Sequence, residues 1–139
     1  MEDSVCGMLI KQINSELEKN ANNMLRKDDL TVSQIGALME LDESIEKQME
    51  LKELEEVLHI AKPTVVGIVK RLEDKGFVIS TRSIQDKRIR IIQLTPLGEE
   101  CCRRAKERME QAEMALTSSL TETERRILIT LLQKVRDSF

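Results

Sequence analysis

The chain has 139 residues, 25 acidic against 22 basic, for a formal net charge of −3, with 40% hydrophobic and 34% charged residues. That length suits one domain of ordinary size, or one core plus an oligomerisation arm, and the apolar content is enough for a packed core and argues against wholesale disorder. Two phenylalanines, no tyrosine and no tryptophan leave the core to Leu, Ile, Val, Met and Ala, and exclude the aromatic platforms on which single-stranded nucleic acids stack.

Apolar residues at Cys6, Leu9, Ile10, Ile13, Leu17, Ala21, Met24 and Leu25 recur at helical spacing and predict a first helix that Asp28 and Asp29 end. Thr31-Val-Ser-Gln34 has the form of a capping box and opens a second helix carrying Ile35, Leu38 and Met39. The charged stretch from Asp42 to Gln48 reads as a connector. A short third helix places Leu51, Leu54, Val57 and Leu58 on one face and ends at His59, a residue type that tolerates left-handed backbone. A fourth helix begins near Lys62-Pro63, where proline costs no hydrogen bond, and Gly76 stops it. The period then changes. Residues 77–81 and 89–94 are β-branched-rich runs around the basic segment Arg82 to Arg88, a two-stranded ribbon with a charged tip. Thr95-Pro96 restarts helix, with Leu97, Cys101, Ala105, Met109, Ala112 and Leu116 in a narrow stripe. A second capping box, Thr121 to Glu124, opens the last helix, whose apolar face is Ile127, Leu128, Leu131, Leu132 and Val135.

The expected fold is therefore mainly α with a small β-hairpin. Helix, short turn, helix and ribbon form the winged variant of the helix-turn-helix. If Val65, Ile68, Val69 and Leu72 face the core, then Pro63, Val66, Gly67 and Lys70 point the other way. Gly67 would let that face come close to a groove; its alternative role is to permit a tight helix–helix contact at a cost of about 1 kcal/mol. Residues 62–90 carry a net +5, which leaves −8 on the rest of the chain. A charge run alone is usually a solvated face, but on a helix-turn-helix with a basic ribbon it suits phosphate binding.

Leu54 to Leu58, Pro63 to Val69, Arg71-Leu72-Glu73, Lys75-Gly76-Phe77-Val78, Asp86-Lys87-Arg88 and Leu94-Thr95-Pro96-Leu97-Gly98 together resemble the signature of the MarR family of transcriptional regulators. Leu120-Thr121, Glu124 and Leu131-Leu132 resemble its C-terminal helix, so the similarity spans nearly the whole chain. The resemblance implies a single domain over 1–139, a homodimer interlocked through residues 1–25 and 96–139, and a DNA-binding lobe over 31–95. It implies a pseudo-palindromic duplex as partner, with one helix of each subunit in the major groove and a wing in the adjacent minor groove. Carried onto this chain, it assigns Lys62, Pro63, Thr64, Val66, Gly67, Lys70 and Arg71 to the groove-facing helix. Arg82, Ser83, Asp86, Lys87, Arg88 and Arg90 fall to the wing. Arg88 becomes the minor-groove arginine and Asp86 its orienting partner, as suits a guanidinium in a narrow groove. The helix N-cap, often serine in the family, is Ala61 here, which removes a cap of about 1 kcal/mol.

The resemblance also implies a small aromatic or anionic effector, for which Met8, Met39 and Met109 are candidate lining residues against the alternative of plain core filling. One branch of the family senses oxidants through an N-terminal cysteine activated by tyrosines. This chain has none, so Cys6 is expected to be a buried small hydrophobe. Cys6, Cys101 and Cys102 are still the redox candidates, with Cys102 expected to be more exposed than Cys101. Three cysteines and one histidine read as free thiols with no metal site. The start, Met1-Glu2-Asp3-Ser4-Val5, has no leader pattern, and no apolar run of about 18 residues occurs. A cytoplasmic protein without membrane contact is expected. No nucleophile, acid–base pair or phosphate loop points to an enzyme or a cofactor. The expected function is a sequence-specific duplex-DNA-binding regulator, a homodimeric repressor tuned by a ligand or oxidant. The alternative is a winged-helix protein–protein module without DNA binding.

Overall fold

A side chain that satisfies the first free backbone N–H groups favours a helix start, and the computed structural model, which describes residues 5–139, shows this at Thr31, Thr95 and Thr121. The acidic start, Met1 to Ser4, and with it the reading of no leader, lies outside the described residues. Helix α1 spans Cys6–Lys27, α2 Val32–Glu43, α3 Leu51–Leu58, α4 Lys62–Asp74, α5 Pro96–Leu116 and α6 Glu122–Arg136. At α2 the Thr31 hydroxyl accepts from the Gln34 N–H (3.2 Å) while the Gln34 side chain accepts from the Thr31 N–H (3.3 Å). Thr121 and Glu124 repeat this at α6 (3.2 and 2.9 Å). Hydrogen bonds from the Thr121 backbone, then its hydroxyl, hold the Glu124 carboxyl below the usual range. Glu50 and Glu53 form a third box at α3 that the sequence reading did not anticipate. His59 ends α3 in the left-handed region (φ 53°) and Gly76 follows α4 at φ 78°, both as expected.

The connector is more structured than expected. Helix α2 runs on to Glu43, a 3₁₀ turn covers Ile45–Lys47, and strand β1 (Gln48–Glu50) follows. With β2 (Val78–Arg82) and β3 (Arg90–Leu94) it makes a three-stranded antiparallel sheet in the order β1-β3-β2, in place of a two-stranded ribbon. Register pairs Gln48 with Gln93, Val78 with Leu94 and Arg82 with Arg90. Three residues without a β-branched member carry no strand signal of their own; the β3 edge supplies the pairing.

One core joins these elements. Leu38 and Leu41 of α2, Leu54 of α3, Val65, Val69 and Leu72 of α4, and Ile92 of β3 are all buried. The Thr95 hydroxyl accepts from the Gly98 N–H (3.1 Å) and donates to the Gly76 carbonyl (2.6 Å). A Cβ at Gly98 would run into the Phe77 carbonyl and lie 2.6 Å from Leu94 Cδ1, so this close approach requires glycine.

The chain divides within α5 into one unit up to Arg103 and a second, Arg104–Phe139. In the first, α1 has no buried residue along its 22 residues; in the second, neither has α6 along its 15. Among the described residues no helix is long and apolar enough to cross a membrane.

Candidate nucleic-acid interface

Four of the 13 residues of α4 are buried, namely Val65, Ile68, Val69 and Leu72, which fixes the helix by one stripe. Lys62, Pro63, Thr64, Lys70 and Arg71 are exposed on the remaining surface, as expected. Val66 departs from expectation: it is half-buried and packs against the core with one edge. The N-cap is Ala61, with no side-chain cap, so the first N–H groups of α4 are left to solvent or a partner.

Gly67 has nothing within 4 Å of where a Cβ would stand. A tight helix–helix contact within the chain therefore does not explain it, and the open space above it belongs to whatever approaches α4. Gly67→Ala should raise stability to urea by about 1 kcal/mol while weakening binding to a duplex. Calorimetry and a binding titration on the same preparation check both signs. A variant that gains affinity along with stability would contradict this reading of the surface.

The wing tip is organised by its own side chains. The Ser83 hydroxyl accepts from the Gln85 N–H (3.3 Å) and the Asp86 N–H (3.4 Å), and the Ser83 N–H donates to the Ile89 carbonyl (2.9 Å). Asp86 then receives three hydrogen bonds from Arg88: backbone N–H to Oδ1 (3.0 Å), Nε to Oδ1 (3.1 Å) and Nη2 to Oδ2 (3.2 Å). The guanidinium is thereby held in a fork while its side chain stays 92% exposed. The contact between Asp86 and Arg88 that the resemblance implied is present, and its geometry limits the freedom of the Arg88 side chain. The Arg88 side chain first, then its backbone N–H, keeps the Asp86 carboxyl below the usual aspartate range. A depressed folded value means the fork is intact above the ordinary aspartate pKa and opens as pH falls through the lower one. An NMR titration of the Asp86 carboxyl should show a midpoint below that of a free aspartate, and Arg88→Ala should move it up.

Lys87 and Arg82 are exposed. Arg90, which the resemblance assigned to the DNA-binding wing, is also engaged within the chain. Its Nε donates to Ser80 Oγ (2.6 Å) and its Nη2 to Glu73 Oε1 (3.0 Å), which ties β3 to β2 and to α4. That pairing also relieves the repulsion between Arg90 and Arg82, which face each other across the ladder. Between α3, α4 and the wing lies a groove of about 570 Å³ whose charged lining is Lys52, Lys62, Arg82, Arg88 and Arg90 against Glu50 and Glu55. Lys52 was missed by sequence reasoning; its signal was a cation beside the apolar face of α3.

Met39 packs against the core, which is the core-filling role, and Met8 and Met109 are 49% and 62% exposed. The thiols also depart from expectation. Cys102 is fully buried like Cys101, while Cys6 is exposed rather than buried. Oxidation at Cys101 or Cys102 requires the core to open first.

The MarR family model matches residues 30–89, from the end of the first elbow to the wing tip. Multiple antibiotic resistance protein MarR of Salmonella typhimurium is 29% identical over 130 residues, covering 93% of this chain and 89% of that protein. Across its winged segment and most of its length, the chain is similar to MarR-family regulators. Among solved MarR-family structures, a mutant of Staphylococcus aureus MepR superposes with a TM-score of 0.89 at 25% identity, over 96% of this chain and 98% of that one. A cysteine-to-serine mutant of Escherichia coli MarR complexed with operator DNA superposes with a TM-score of 0.69 at 28% identity, over 93% and 91% of the two chains. Two uncharacterised transcriptional regulators of Bacillus subtilis are matched over about half their own length, 52% and 53%. The winged helix-turn-helix of the family is thus the fold that carries the basic groove and the Asp86–Arg88 fork.

Proposed function

We propose that this chain is a homodimeric, sequence-specific duplex-DNA-binding transcriptional regulator that acts as a repressor. The observation that carries the reading is the pre-set Arg88 guanidinium at the tip of a wing whose neighbouring helix offers Lys62, Lys70 and Arg71 to solvent. Phosphate contacts from the lysines fix register, and the oriented arginine suits the negative potential of a narrow minor groove. The operator complex of the Escherichia coli relative, at 28% identity, supports duplex DNA over a protein partner. Homodimerisation is supported by α1 and α6, which leave apolar stripes such as Leu9, Ile10 and Ile13, or Leu128, Leu131 and Leu132, at least a third exposed in the single chain. Two-fold symmetry also matches a pseudo-palindromic site. Repression follows from occupancy: a dimer straddling two half-sites blocks the DNA between them.

Selection of bound duplexes from a random pool at physiological salt tests this. Enrichment of a pseudo-palindrome is the expected result. A pool that stays random through successive rounds, with the protein instead retained by an acidic protein partner that DNA does not displace, would overturn it.

A further inference from the structure

Lys75 belongs to the basic segment by sequence, yet its side chain turns away from the groove and is only 25% exposed. Its Nζ donates to the Asp29 carbonyl, lies 3.8 Å from Asp29 Oδ2 and donates to Gln34 Oε1 at 3.4 Å. Those acceptors belong to the elbow between α1 and α2. Asp29 sits there in the left-handed region (φ 54°), Leu30 is buried in the core, and Gln34, 4% exposed, closes the capping box of α2. Two residues before Lys75, Glu73 receives Arg90 from the wing. The last turn of α4 is therefore joined on one side to the wing and on the other to the elbow that ends α1. Both links are ionic or charge-assisted, which makes them directional where apolar packing is not.

We infer that Lys75 is a positioning residue for DNA recognition: it sets the angle between α4 and the α1 arm, and so the distance between the two half-sites that the dimer accepts. This rests on the homodimer reading above. A dimer that holds two recognition helices one helical turn apart, about 10 base pairs, discriminates spacing only if each helix is fixed relative to the arm that pairs the subunits. Lys75 contributes no phosphate contact, since its ammonium is spent on the elbow. Removing it leaves the number of released counterions unchanged.

The test uses the selected duplex and versions with one base pair added or removed between the half-sites. The parent should favour its own spacing by about tenfold or more, the scale of one mismatched base pair. Lys75→Met, which keeps the apolar stem, should narrow that preference to about threefold or less while the salt dependence of binding to the best duplex stays as in the parent. Lys75→Arg should restore the preference. Lys75→Gln is measured in the same way, so that a poorly folding Lys75→Met does not decide the matter. An unchanged spacing preference in a folded Lys75→Met or Lys75→Gln overturns the inference. So does a salt slope that falls by about one, the mark of a lost phosphate contact. If the parent binds no duplex at all, the DNA-binding reading itself has failed, which is a different result from a folded variant that keeps its spacing preference.

Discussion

Arg88→Ala should lower affinity for the selected duplex by roughly 5- to 150-fold, the range for one well-placed groove contact, and should reduce the slope of log affinity against log salt by about one. The loss should leave the fold intact. The Arg88 side chain is 92% exposed and pairs with Asp86, two residues away in the same turn. A fluorescence-anisotropy titration at three or more salt concentrations reads both numbers. Because the fork is already formed in the free chain, Asp86→Ala should bind the duplex no more tightly than the parent even though it removes a negative charge from the wing. An Asp86→Ala variant that binds more tightly than the parent would show that charge alone governs the tip.

Ile13→Asp and Leu131→Asp should each convert a dimer into monomers. Ile13 is 47% exposed on α1 and Leu131 53% exposed on α6, so neither substitution disturbs a buried core within one chain. In a dimer that covers these stripes, a carboxylate there is desolvated without a partner, at a cost of several kcal/mol. Sedimentation equilibrium should show the parent at twice the chain mass and the variants at one. Operator affinity should fall by about 100-fold or more, because the second half-site is no longer engaged within the same molecule. Variants that stay dimeric and keep affinity would place the partner surface elsewhere.

What was legible in the sequence is local. The capping boxes at Thr31 and Thr121, the left-handed stop at His59, the glycine after α4 and the buried stripe of Val65, Ile68, Val69 and Leu72 all rest on spacings of four residues or fewer. The Asp86–Arg88 fork belongs with them, because its partners are two residues apart. What stayed illegible depends on distant partners. Strand β1 exists because β3 pairs with it, more than 40 residues later. Lys75 reaches back 46 residues to Asp29, and Arg90 reaches back 17 to Glu73. No local pattern separates such tethered cations from those left exposed to solvent. Cys102 was misjudged for a related reason: helical spacing assigns it beside the apolar stripe, but the core covers both sides of that turn.

These tethers revise the charge argument. Of the basic residues between Lys62 and Arg90, Lys75 and Arg90 are structural, which leaves Lys62, Lys70, Arg71, Arg82, Lys87 and Arg88 exposed for binding. Their arrangement around the groove matters more than the chain's net −3. An acidic remainder also disfavours non-specific association with DNA, which leaves the proposed recognition to the oriented wing and α4.

The most direct test of a dimeric duplex-DNA-binding regulator is hydroxyl-radical footprinting of the selected duplex at physiological salt, with the complex mass measured on the same sample. Two chains per duplex should protect two half-sites about one helical turn apart, with minor-groove protection flanking each. One chain per duplex, or protection spread evenly along the DNA, would contradict the account.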